Sequence, residues 1–100
     1  MEQADQVDFY NGLEVYYSVL GHNKKQEAIA VLIEKNDHKI YVYQLDKGIS
    51  QDKAATISRE KGASDIDKIT FGRYQDKPIW EVKSGNQYYL VDFETGAVIQ

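Results

Sequence analysis

The sequence predicts an α+β protein: short antiparallel strands, with one main helix packed on the C-terminal ones. Three observations predict it. Tyr is unusually frequent, at eight of 100 residues, beside three Phe and one Trp, and large flat side chains suit a pleated surface. Short runs alternate between apolar and polar, most cleanly from Ile79 to Lys83, which gives a strand one dry and one wet face. Only residues 51–61 carry the punctuation of a helix.

Along the chain, residues 7–10 read as a strand ending at Asn11-Gly12, a dipeptide that tolerates the positive φ angles of a tight hairpin. Val15 to Leu20 follows as a strand, with Val15, Tyr17 and Val19 on one face. Gly21 to Lys25 is a polar loop. Ala28 to Ile33 is an apolar run bounded by charge, short enough for a strand. Asn36-Asp37 turns the chain, and Lys39 to Leu45 returns with Tyr41, Tyr43 and Leu45 aligned.

Ser50 then offers a hydroxyl to the free N–H groups of a helix start. Asp52 lies in the first turn, where the helix dipole favours negative charge. Ala54 and Ile57, with Ala55 and Ser58, make a narrow apolar stripe, and Gly62 supplies the stop. The pattern returns to strands at Ile66 to Tyr74, Pro78 to Lys83, Gln87 to Phe93 and Ala97 to Ile99. Such a meander after a helix packs that helix across its sheet. A weak repeat sets Tyr10-Asn11-Gly12 and the strand after it beside Tyr74-Gln75-Asp76 and its successor.

Composition narrows the function. The net charge is −4 and the basic residues are scattered, so the footprint that displaces counterions from nucleic acid is missing. Cysteine is absent, which removes disulfides, thiolate nucleophiles and thiolate metal ligands. No run approaches the roughly 20 apolar residues of a membrane helix.

The two histidines, His22 and His38, fall in expected loops without the spacing of a metal pair. Asp65 with Asp67, and Asp92 with Glu94, have the spacing to share a strand face. Carboxylates at turns serve more often as caps than as acid and base. The glycines form no phosphate-cradling pattern and no serine sits in a nucleophile elbow. The expectation is therefore no catalytic residue, no cofactor and no metal. Tyrosines are the informative group, since Tyr and Trp bury much area at small entropic cost in protein interfaces. Alternation turns one of each neighbouring pair outward, which makes Tyr16, Tyr41, Tyr43, Tyr88 and Tyr89 candidate partner-binding residues.

The segments Gly48-Ile49-Ser50, Lys77-Pro78-Ile79-Trp80-Glu81-Val82-Lys83, Tyr88-Tyr89-Leu90-Val91-Asp92 and Thr95-Gly96-Ala97-Val98 resemble the landmarks of the PepSY domain. Tyr10-Asn11-Gly12 and Glu14-Val15-Tyr16-Tyr17-Ser18-Val19 resemble the domain that precedes PepSY in TseB-like cell-wall elongation regulators. The resemblance implies two cystatin-like units, residues 1–46 and 47–100, the first expected to lack most of its leading helix. It implies a single-pass anchor outside this chain and a place on the extracytoplasmic face of a Gram-positive membrane. It also implies a non-catalytic role in cell-wall elongation through contact with a penicillin-binding protein. A PepSY-type peptidase inhibitor and a small-ligand sensor are the alternatives. Dimerisation through an open strand edge is a further expectation.

Overall fold

A computed structural model describes residues 2–99. The strands are β1 Gln3–Asn11, β2 Val15–His22, β3 Ala28–Glu34 and β4 Ile40–Gln44, then β5 Lys68–Tyr74, β6 Lys77–Ser84 and β7 Gln87–Asp92. A short 3-10 turn at Leu45–Lys47 and the helix α1, Gln51–Glu60, lie between the two groups. Each group is an antiparallel meander: one sheet runs β1-β2-β3-β4, the other β5-β6-β7. Near the C-terminus Val98 adds an isolated bridge to Val91 in place of the strand expected there.

Several boundaries moved from the sequence reading. β1 begins at Gln3, four residues early, because its polar start borrows order from β2 through backbone pairing. The same pairing carries β2 to His22, whose Nδ1 lies 2.8 Å from an Asp5 carboxylate oxygen. His22 is thus a strand residue rather than a loop residue. The Asn11-Gly12 hairpin is not a positive-φ turn. Left-handed backbone stands instead at other hairpins, at His38 and Gly85 and at the pair Gln75 and Asp76, whose φ values are 50 and 65, as a two-residue loop between twisted strands requires. Gly12 is small for another reason: a Cβ there would collide with the ring of Tyr10.

The helix follows its signals closely. The Ser50 hydroxyl accepts from the Lys53 N–H at 3.0 Å. At the other end Gly62 takes φ 113, its N–H reaches the Arg59 carbonyl and the Ala63 N–H reaches that of Ser58. That pair of bonds satisfies carbonyls a helix end leaves free. Ala54, Ala55 and Ser58 are buried on the β5-β6-β7 sheet.

Register decides what faces the helix. Phe71, Trp80 and Val91 are cross-strand neighbours in one row. Phe71 meets Trp80 and Phe93 edge to face at 4.9 and 5.2 Å, a favoured aromatic geometry. The Trp80 indole N–H donates to the Ile49 carbonyl at 3.0 Å and anchors the chain entering α1.

The two sheets share one core, in which Tyr10, Tyr16, Leu20 and Leu32 join Phe71, Ile79 and Trp80. The edge strand β5 lies against β1, β2 and β3. Tyr10, 1% exposed, spreads its ring over Gly72 of β5, where a Cβ would stand about 2.5 Å from ring carbons.

Candidate functional site

The five candidate tyrosines have different fates. Tyr16 is 3% exposed, so the expectation of a wet-face side chain there is corrected. The face of β2 that turns inward is Tyr16, Ser18 and Leu20, while Val15, Tyr17 and Val19 turn outward. Tyr41 and Tyr43 are half-buried against the core. What holds all three is Arg73 of β5. Its guanidinium lies 4.0 Å from the Tyr41 ring centroid, its Nε donates to the Tyr43 hydroxyl at 3.1 Å, and the Tyr16 hydroxyl faces it as well. Burial works against the charge on Arg73, but these hydroxyls hold its pKa above the ordinary arginine value. Tyr16, Tyr41 and Tyr43 therefore form a latch between the two sheets. Tyr89 is half-buried and its hydroxyl donates to Gln87 at 2.8 Å. Tyr88 is 53% exposed and remains a surface candidate.

Tyr88 lies on the face of the second sheet opposite α1. Two cross-strand rows of that face border a cleft, Lys68–Lys83–Tyr88 and Thr70–Glu81–Leu90. They floor this open space of about 670 Å³, closed at one end by Tyr10 and by the β1–β2 hairpin from Asn11 to Leu13. Sequence reasoning missed this cleft. The alternation showed that Glu81 and Lys83 share a face, but not that the distant β1–β2 hairpin stands beside it.

Charges in the cleft are partly matched. Lys68 lies 3.0 Å from Asp8 across the sheet boundary. Burial opposes ionisation of Asp8, yet the Gln6 amide and Lys68 together hold its carboxyl below the usual range. Glu81 is raised by burial, with Lys68 opposing the shift.

A second, smaller recess of about 180 Å³ includes Glu34, Asp37 and Arg73. Burial, then Glu14 and Asp37 beside it, push the Glu34 carboxyl up to about 7. No group of three or more His, Asp or Glu among the described residues is placed to hold a metal ion. Asp92 is a turn cap, its Oδ1 accepting from the Glu94 and Thr95 N–H groups at 2.8 and 3.1 Å. Asp67 likewise accepts from the Gly85 N–H at 2.9 Å.

The outer face of the first sheet is apolar. Val7 is paired with Val19, and Phe9 with Tyr17. Val19 continues through Val31 to Val42, and Tyr17 through Ile33 to Ile40. Val7, Phe9, Tyr17, Ile40 and Val42 are all exposed, Ile40 by 63%.

The comparisons with known proteins agree with this architecture. The cell wall elongation regulator TseB-like domain matches residues 1–34, which hold β1, β2 and β3. The probable cell wall elongation regulator TseB of Bacillus subtilis (strain 168) is 36% identical over 108 residues, an alignment that takes in 100% of this chain and 66% of that protein. The solved structure of the YpmB protein from Bacillus subtilis matches 100% of this chain and 84% of its own, at TM-score 0.85 and 34% identity. The chain belongs to the TseB-like family. It spans 66% of the curated relative's length. That relative is named as a probable cell wall elongation regulator. Among the described residues, no helix is long and apolar enough to cross a membrane.

Proposed function

We propose that the chain is a non-catalytic extracytoplasmic module that regulates cell-wall elongation by binding a penicillin-binding protein. The observation that carries the binding reading is the outer face of the first sheet. It lies mostly within the segment matched by the TseB-like domain, and it exposes a continuous set of apolar side chains. Patches of this kind mark protein contacts. The described acids support the non-catalytic part, since Asp67 and Asp92 are spent on turns.

Residues 47–100 are the PepSY-like unit in this reading. The first unit would receive its own helix ahead of β1, as α1 precedes β5, and a membrane anchor beyond it.

The test is a pull-down from a Gram-positive envelope with a chain that carries its preceding residues and anchor. Enrichment of a penicillin-binding protein, lost on Tyr17→Asp, is the expected result. Failure to enrich any wall synthase would overturn the proposal.

A further inference from the structure

We infer that the cleft beneath the β1–β2 hairpin is a saccharide site that takes an uncharged wall glycan segment. The choice of glycan rests on the wall-regulator reading above. The cleft itself rests on geometry.

The floor is built from side chains, not from open backbone. Its middle strand, β6, is paired on both sides, so no strand can be added there and an extended peptide would gain no backbone ladder. Side chains must do the recognition. Glu81 stands between Thr70 and Leu90 in one row, and Lys83 between Lys68 and Tyr88 in the next. Lys68 is already matched to Asp8. An acceptor and a donor thus sit side by side with little net charge, which disfavours a polyanion.

Tyr88 presents an exposed ring at the rim, and Leu13, also exposed, adds apolar surface to the same cleft. A pyranose ring asks for this combination: hydroxyls that need donors and acceptors at the edge, and a C–H face that packs on an aromatic ring. Three strands spaced by about 4.8 Å make the floor about 10 Å wide, which suits two linked sugar rings. The acetamido methyl of an N-acetylated sugar would rest on Leu13, the exposed apolar side chain of the cleft.

Glu81 supports the assignment in a second way. It is half-buried at the cleft floor, and burial raises its carboxyl above the ordinary value. A sugar hydroxyl would supply the hydrogen bond that a half-desolvated carboxylate lacks.

The probe is chitotetraose, a soluble β-1,4-linked N-acetylglucosamine oligomer, titrated into the folded chain and followed by amide NMR shifts. Shifts should cluster at Glu81, Lys83 and Tyr88, and Tyr88→Ala should weaken binding at least tenfold. Glu81→Gln should weaken it less, by keeping one acceptor. Maltotetraose, of different linkage and without acetamido groups, should not compete. Circular dichroism checks that each variant is folded. Absence of shifts at millimolar sugar, or shifts indifferent to Tyr88→Ala, would overturn the inference. So would protection of the cleft by a penicillin-binding protein in hydrogen exchange. Pull-down of a penicillin-binding protein without sugar binding would sink this inference alone and leave the regulator reading standing.

Discussion

Arg73 of β5 stacks its guanidinium 4.0 Å above the Tyr41 ring of the other sheet. It also donates to the Tyr43 hydroxyl and pairs with Asp76 at 3.3 Å. One side chain from the second sheet thereby organises two half-buried tyrosines of the first. Guanidinium geometry matters here, because a planar cation can stack on one ring while donating in its own plane to another group.

Arg73→Ala should therefore loosen the joint between the sheets. A stacking contact and a charge-assisted bond are together worth about 2–3 kcal/mol when partly desolvated. Urea unfolding monitored by Trp80 fluorescence should show that loss as a lower midpoint. Arg73→Lys should recover less than half, since an ammonium cannot stack and reach Tyr43 in the same geometry. Equal stability of the Lys variant and the parent would contradict the latch.

Gly72 should not tolerate Ala. The new methyl would enter the ring of Tyr10, which is fully packed, and such overpacking costs about 1–3 kcal/mol. The pair Gly72→Ala with Tyr10→Leu should be closer in stability to Tyr10→Leu alone than additivity predicts. A double-mutant cycle with no coupling would refute the contact.

Glu34 should make stability depend on pH with an unusual sign. Its folded pKa, about 7, lies above the ordinary carboxyl value of about 4.5. Between these values the folded chain holds a proton that the unfolded chain has released. This contribution therefore favours folding below about pH 4.5 and is lost as pH rises through about 7. Glu34→Gln should remove it, so that the parent loses more stability than the variant between pH 5 and 8. Thermal melts over that range check the slope, and a carboxyl NMR titration of Glu34 checks its midpoint.

Ser58 is fully buried on the inner face of α1 and its hydroxyl finds no partner among the described residues. An unmatched buried hydroxyl costs about 1–3 kcal/mol, and Ala is the better helix former. Ser58→Ala should thus stabilise the chain by about 1 kcal/mol in urea unfolding. A destabilised variant would mean that the hydroxyl has a partner.

How much was legible beforehand differs by element. The helix was readable almost to the residue, because its cap, stripe and stop are local: Ser50, Ala54, Ser58 and Gly62 lie within one short segment. The strands were readable because Glu81 and Lys83 alternate with Trp80 and Val82. The start of β1 was not, since Gln3 to Gln6 have no apolar pattern and are ordered only by pairing with β2.

The site was less legible than the fold. Local sequence determined that one of Tyr16 and Tyr17 must be buried, but not which one, since a strand's two faces look alike until something covers one. The second sheet supplied the answer by laying Arg73 and Phe71 against Tyr41 and Tyr43. Alternation put Glu81 and Lys83 on one face, and residue content alone excluded a basic stripe and any thiol chemistry. Tertiary structure decided that this face becomes the floor of a cleft. That needed the β1–β2 hairpin, about 70 residues away in sequence, held in place by Tyr10 on Gly72. Contacts at that separation leave no periodic trace in the chain, because they depend on the packing of two finished sheets.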